Sequence, residues 1–197
     1  MNFKYLAISI LAALSLAASA GASDRVPPHP YIEIETSEGR ILLELDGREA
    51  PVTVAHVLAL VDAGFYDGLI FHRVIDGFMI QGGGFTPGFK LKEDDRTIAN
   101  ESGNALSNRR GTIAMARTSD PHTANSQFYI NVADNPQLDP NKTPGAGRWG
   151  YTVFGMVIEG MDVVDKIASA PTGPQKGQPN APIVPIIIKS MQRYTFE

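Results

Sequence analysis

Six short apolar runs fill the chain after residue 68: "LIFHRVI", "FMIQ", "GTIAMA", "SQFYINV", "YTVFGMVI" and "PIIIKSM". Connections rich in glycine, asparagine and proline separate them. Runs of this length, rich in β-branched and aromatic residues and bounded by turn formers, read as strands rather than helices. Ahead of them "YIEIE" alternates, with Ile32 and Ile34 on one face. "TSEG" supplies a turn, and "RILLELD" sets Ile41, Leu43 and Leu45 in register, so the two segments predict a hairpin. Many short strands with few helices restrict the fold to an antiparallel barrel or sandwich.

The period changes twice. In "APVTVAHVLALVDAG", Val54, Val57, Leu58 and Val61 recur at helical spacing, with Pro51 suited to the first turn and Gly64 to the stop. His56 is expected on the surface of that helix. A second short helix is predicted at "MDVVDKIA", where Val163, Val164 and Ile167 share a face. The 197 residues suffice for one domain with a real core, and no linker or repeat divides them. Two long loops, residues 86–108 and 133–150, are places to expect function.

"MNFKYLAISILAALSLAASAGAS" has Lys4 near its start, then an apolar stretch, then small residues. That is the pattern of a secretory signal peptide over residues 1–22, with cleavage after Ala20 or Ala22. The apolar run from Tyr5 to Ala18 is short for a bilayer span, which needs about 20 residues, so no membrane anchor is expected after cleavage. Residues 23–30 then form an extended leader into a domain over 31–197. The chain has no cysteine, so an exported protein of this kind is stabilised by its core and not by disulfides. A bacterial periplasm is the expected home.

Several chemistries are excluded. A net charge of −4, with no run of Lys or Arg, argues against a nucleic-acid partner. The four histidines, His29, His56, His72 and His122, form no H-x-x-x-H or H-E-x-x-H pair, so no metal site is expected. "QGGGFTPG" lacks the ending of a phosphate loop, and its glycines read as turn residues. No G-x-S-x-G elbow occurs and no thiol nucleophile is possible. No cofactor is implied, and a monomer is the default.

What remains is the placement of polar groups in apolar runs. Arg73 and Gln81 interrupt "FHRVIDGFMIQGG", and Gln127 interrupts "SQFYI". A guanidinium is almost never fully buried unless paired. An apolar surface carrying a few convergent polar groups has the composition of a binding site. His72 alternates with Arg73, reads as facing the other way, and is expected to be structural.

"FHRVIDGFMIQGG", "MARTSDPHTANSQFYI" and "VFGMVIEGMDVVDKI" closely resemble the signature segments of the cyclophilin family of peptidyl-prolyl cis-trans isomerases, and the exported bacterial branch is the nearest fit. The likeness runs from about Tyr31 to the C-terminus. It implies a mainly β fold, a closed eight-stranded antiparallel barrel capped by two α-helices, with the active surface outside the barrel. It makes Arg73 the catalytic arginine. It places Phe78, Met79, Tyr129 and Leu138 around a proline pocket, with Gln81 and Gln127 holding the peptide backbone and orienting Arg73. Ala116 and Arg117 would present main-chain groups to the residues before the proline, and Tyr151 falls where the family has a histidine. The family's pocket tryptophan falls at Gln137, so cyclosporin binding is expected to be weak. An asparagine of the family is replaced by Arg117. The implied partners are proline-containing polypeptides.

The resemblance fits elementary chemistry. The amide resists rotation by about 18–20 kcal/mol, and uncatalysed X-Pro exchange takes tens to hundreds of seconds. No bond need break; the enzyme must favour the twisted amide over both planar ones. Two other readings leave different signatures. A binding or chaperone module of the same shape would keep suppressing aggregation without Arg73. A structural or sugar-binding barrel would show no dependence on proline.

Overall fold

The computed structural model describes residues 27–140 and 149–196. The segment read as a signal peptide and the first part of the leader lie outside the described residues. The first hairpin forms as the alternation predicts: β1 (Tyr31–Thr36) pairs antiparallel with β2 (Arg40–Leu45), placing Ile34 opposite Ile41 and Ile32 opposite Leu43. Helix α1 (Pro51–Asp62) begins on its proline and buries Val54, Val57, Leu58 and Val61.

The remaining strands are β3 (Phe71–Ile75), β4 (Met79–Gly82), β5 (Thr112–Met115), β6 (Phe128–Asn131), β7 (Val153–Glu159), β8 (Thr172–Gln175), β9 (Gln178–Pro182) and β10 (Ile188–Tyr194). Helix α2 (Met161–Ala168) follows β7 and buries Val164 and Ile167. Eight strands form one antiparallel sheet in the order β10-β1-β2-β7-β5-β6-β4-β3, while β8 and β9 make a separate hairpin that the sequence did not suggest. The hairpin was hidden because its strands, "TGPQ" and "QPNAP", carry no apolar alternation. Helix α1 packs against β10, and α2 against β2, β3 and β4.

The sheet does not close. It is an open, strongly curled half-barrel, not the closed barrel expected from the sequence. Its two edge strands, β3 and β10, share no ladder. Their approaches meet at a single bridge, Ile70 opposite Ile187, with hydrogen bonds from Phe71 N to Ile186 O (3.0 Å) and from Ile188 N to Leu69 O (2.8 Å). The hairpin β8–β9 leads into this seam and β9 lies beside β3. Pro179, Pro182 and Pro185 fall there, and proline has no N–H to offer a ladder.

His56 is a second correction. It is only 8% exposed, and its Nε2 lies 2.6 Å from Asn125 O and 3.6 Å from the Asp94 carboxylate. On the same helix Glu101 accepts hydrogen bonds from Val52 N, Thr53 N and Thr53 Oγ1, supplying the N-terminal cap that Ala50 cannot. Helix α1 therefore serves as the post to which both neighbouring loops are tied.

Candidate active site

The strands that carry the unexplained polar residues are covered on both faces. Phe71, Val74, Ile80, Ile113, Phe128, Ile130 and Phe154 point into the main core. Their neighbours Met79, Ala114, Tyr129 and Val153 point outward and are buried in a second, smaller apolar cluster. Ile75, Phe78, Leu106, Ala116, Leu138 and Tyr151 pack around it. Two-sided coverage explains why "FYIN" is buried at all four positions.

Register assembles the site. Arg73 stands opposite Gln81, Gln81 opposite Tyr129, Tyr129 opposite Ala114, and Ala114 opposite Val153. One row thus crosses five strands, running from a cation through an amide to an apolar floor. Arg73 Nη1 donates to Gln81 Oε1 at 3.2 Å, and Gln81 Nε2 donates to Gln127 Oε1 at 3.1 Å. The guanidinium carbon sits 6.0 Å from the Phe78 ring centroid, and Nη1 lies 3.8 Å from Met79 Sδ. Arg73 is half-buried, and its guanidinium is held by the Gln81 and Met79 side chains. A methyl group on Gly84 would stand 2.6 Å from Cγ and Cδ of Gln127, so this position in the glycine run leaves room for the glutamine chain.

Beneath the apolar floor is a buried polar network that sequence reasoning missed. Tyr129 Oη donates to Asn108 Oδ1 at 2.7 Å. Burial pushes the Tyr129 phenol well above its ordinary range, so it stays neutral and donates. Asn135 Nδ2 donates to Phe78 O at 2.9 Å and to Asn131 Oδ1 at 2.8 Å. The Asp139 carboxylate accepts from Asn108 N (2.7 Å), Asn108 Nδ2 (2.9 Å) and the Ser107 hydroxyl. Asn131, set among the apolar residues of "SQFYINV", carried the same signal that singled out Gln127.

Leu138 packs against the apolar cluster from a short 3₁₀ turn, Pro136–Leu138, and its carbonyl accepts from Tyr151 N at 3.0 Å. Gln137, beside it, donates to Asn135 Oδ1. The Tyr129 and Tyr151 rings meet edge to face at 5.9 Å. Ala116 packs at the edge of the cluster, and its N–H is already used in a hydrogen bond to Gln127 O at 2.9 Å. The Arg117 guanidinium donates to the carbonyls of Thr118, Trp149 and Gly150.

His72 lies behind Arg73, 2% exposed, with its ring 4.6 Å from that of Phe85. Its Nδ1 has no hydrogen-bond partner among the described residues. Burial, aided by the charge on Arg73 and opposed by the Ile70 carbonyl, holds its pKa down to about 4, against 6.5 ordinarily. The unfolded chain therefore takes up a proton near pH 6.5 that the fold refuses until about pH 4. Stability falls as pH drops through that window, by about 2 kcal/mol between pH 7 and pH 5 from this residue. Urea unfolding at the two pH values is expected to show the loss, and His72→Leu to flatten it. An NMR titration of the ring with a midpoint near 6.5 would contradict the assignment.

Among the described residues no group of three or more His, Cys, Asp or Glu could hold a metal, and no helix is long and apolar enough to cross a membrane. The fold and the row together set an apolar cluster on the outer face of the sheet, with one fixed cation at the end of the row.

Comparison with known proteins gives this arrangement its family. Residues 31–193 match the family model described as "Cyclophilin type peptidyl-prolyl cis-trans isomerase/CLD". The chain is 54% identical over 160 residues to peptidyl-prolyl cis-trans isomerase cyp18 of Streptomyces antibioticus, covering 81% of this chain and 95% of that one. It is 46% identical over 184 residues to peptidyl-prolyl cis-trans isomerase A of Dickeya dadantii, covering 92% and 94%. A crystal structure of a Cryptosporidium parvum cyclophilin type isomerase in the presence of the dipeptide ala-pro superposes with a TM-score of 0.69 at 30% identity, covering 84% of this chain and 99% of that one. The chain belongs to the cyclophilin-type peptidyl-prolyl cis-trans isomerases and is an enzyme of that class.

Proposed function

We propose that the protein accelerates rotation about X-Pro bonds in exported polypeptides, without covalent chemistry, and that Arg73 stabilises the twisted amide. The observation that carries this reading is the row in which Arg73 is fixed by Gln81 beside an apolar floor. Phe78, Met79, Tyr129 and Leu138 clamp the proline ring, with Tyr151 at the rim. Gln81 and Gln127 hold the peptide backbone, and Ala116 and Arg117 meet the preceding residues through main-chain groups.

A planar amide nitrogen is a poor acceptor because its lone pair is delocalised. As the bond twists, the nitrogen becomes pyramidal and regains that lone pair. A guanidinium N–H aimed at it then gains a hydrogen bond that neither planar isomer can make, which is selective binding of the transition state. Lowering an exchange time of about 100 s to about 1 ms requires roughly 7 kcal/mol. One preorganised donor in a water-poor site supplies about 3–4 of these. Holding the proline ring while the preceding carbonyl turns supplies the remainder.

The deciding experiment is NMR exchange on a short X-Pro peptide with the mature chain. Faster cis-trans exchange supports the reading, and no acceleration refutes it. Phe78→Ala is expected to lower kcat/KM about tenfold, raising KM and lowering kcat together, because it removes apolar area that the proline covers. An unchanged KM would place the proline elsewhere.

The signal-peptide pattern of residues 1–22 supports a periplasmic location for this activity, with proline-containing clients. Fractionation, with mass spectrometry of the exported N-terminus, tests both the location and the cleavage after Ala20 or Ala22. Gln137 at the family's tryptophan position supports weak cyclosporin binding.

A further inference from the structure

Arg117 has a role that its place on the main-chain track does not explain. Nη2 donates to Trp149 O at 2.9 Å, Nε to Gly150 O at 3.2 Å, and Nη1 to Thr118 O at 2.8 Å. Its guanidinium also lies over the Tyr151 ring, 4.4 Å from the centroid. From the other side Asn100 Nδ2 donates to Gly150 O at 3.0 Å, and Gly150 N donates to Ser102 Oγ at 3.1 Å. The backbone at 149–150 is therefore clamped from two directions.

On that clamped backbone the chain's only tryptophan stands 47% exposed. Its ring meets His122 edge to face at 5.1 Å. His122 is fixed in turn: its Nδ1 accepts from Asn100 N at 3.2 Å, and its own N–H donates to Asp120 Oδ1 at 2.9 Å. A single exposed apolar residue needs no explanation. A tryptophan whose backbone is held by a forked cation, the same guanidinium that lies over Tyr151 beside Tyr129, is an ordered surface on which little freedom remains to be lost when a ligand binds.

We infer that Trp149 and His122, held by Arg117, form an aromatic shelf that takes a large apolar or aromatic side chain from the amino-terminal side of the X-Pro bond. This rests on the isomerase reading above. The side is assigned on that same reading, in which Ala116 and Arg117 meet the residues before proline. The turn after them carries His122 back towards Gln127. Arg117 acts as a positioning residue, and Trp149 makes the contact.

The experiment uses paired peptides with Phe or Ala two and three residues before an X-Pro bond, and a mirrored set with Phe after it. NMR exchange gives kcat and KM, and fluorescence of the lone tryptophan reports docking. The wild type is expected to favour Phe before proline by about 3- to 10-fold, mainly through KM. Trp149→Ala should reduce that preference to within about twofold, while Trp149→Phe keeps most of it. Arg117→Asn should lose the preference through KM, and Arg117→Lys should not restore it, because an ammonium lacks the fork. A preference that survives Trp149→Ala, a preference for Phe after proline, or equal rates for all peptides overturns the shelf and leaves the isomerase reading standing. No acceleration of any peptide by the wild type refutes the isomerase reading itself.

Discussion

Arg73→Ala is expected to lower kcat/KM for X-Pro exchange by about two to three decades, or roughly 3–4 kcal/mol. The fall should lie in kcat more than in KM, because the lost hydrogen bond belongs to the twisted amide and not to either planar one. The fold should survive. Arg73 is half-buried, and its side chain donates to Gln81 Oε1 and Met79 Sδ, neither of which is a charged group left unpaired by its removal. Unfolding in urea, measured alongside the exchange rate, separates lost catalysis from lost structure. Arg73→Lys should recover little, since a point charge cannot reach both Gln81 and a peptide nitrogen in the same geometry. A folded Arg73→Ala variant with kcat within threefold of the wild type would remove Arg73 from the mechanism.

Asp139→Ala is expected to cost about 3 kcal/mol of stability. The carboxylate is 8% exposed and receives Asn108 N, Asn108 Nδ2 and the Ser107 hydroxyl. Removing it strands buried donors that water cannot readily reach. The damage should spread to the pocket, because Asn108 also accepts from Tyr129 Oη, and Asn135 N donates to Asn108 O at 2.7 Å. The urea midpoint should fall and KM for X-Pro peptides should rise. Asp139→Asn keeps the acceptor oxygen and is expected to lose about 1 kcal/mol. A loss below 1 kcal/mol in the alanine variant would show that the network relaxes around the gap.

The two variants probe opposite ends of the legible range. Arg73, Gln81 and Gln127 stood out in the sequence because polar forks are out of place in apolar strands. Asn108 and Asp139 did not, because they lie in connections where asparagine and aspartate are ordinary turn formers. Their importance comes from burial, and burial of a loop residue is not a local property. His56 shows the same gap: its helix was read correctly, but the face it occupies is covered by loops about 40 and 70 residues away in the chain.

By itself the sequence determined the local elements. Alternation gave β1 and β2, the stripe of valines and leucines gave α1, and long ordered motifs gave the family. Those signals are local because side-chain periodicity follows from backbone geometry over a few residues. Tertiary structure decided the rest. It set the register that aligns Arg73, Gln81, Tyr129, Ala114 and Val153 across five strands. It left the sheet open where prolines interrupt the seam between β3 and β10. It also set the Arg117 guanidinium onto the backbone of Trp149 and Gly150. Each of these depends on groups distant in the chain meeting at hydrogen-bonding range, and a one-residue slip in pairing would have sent the same side chains to the opposite face.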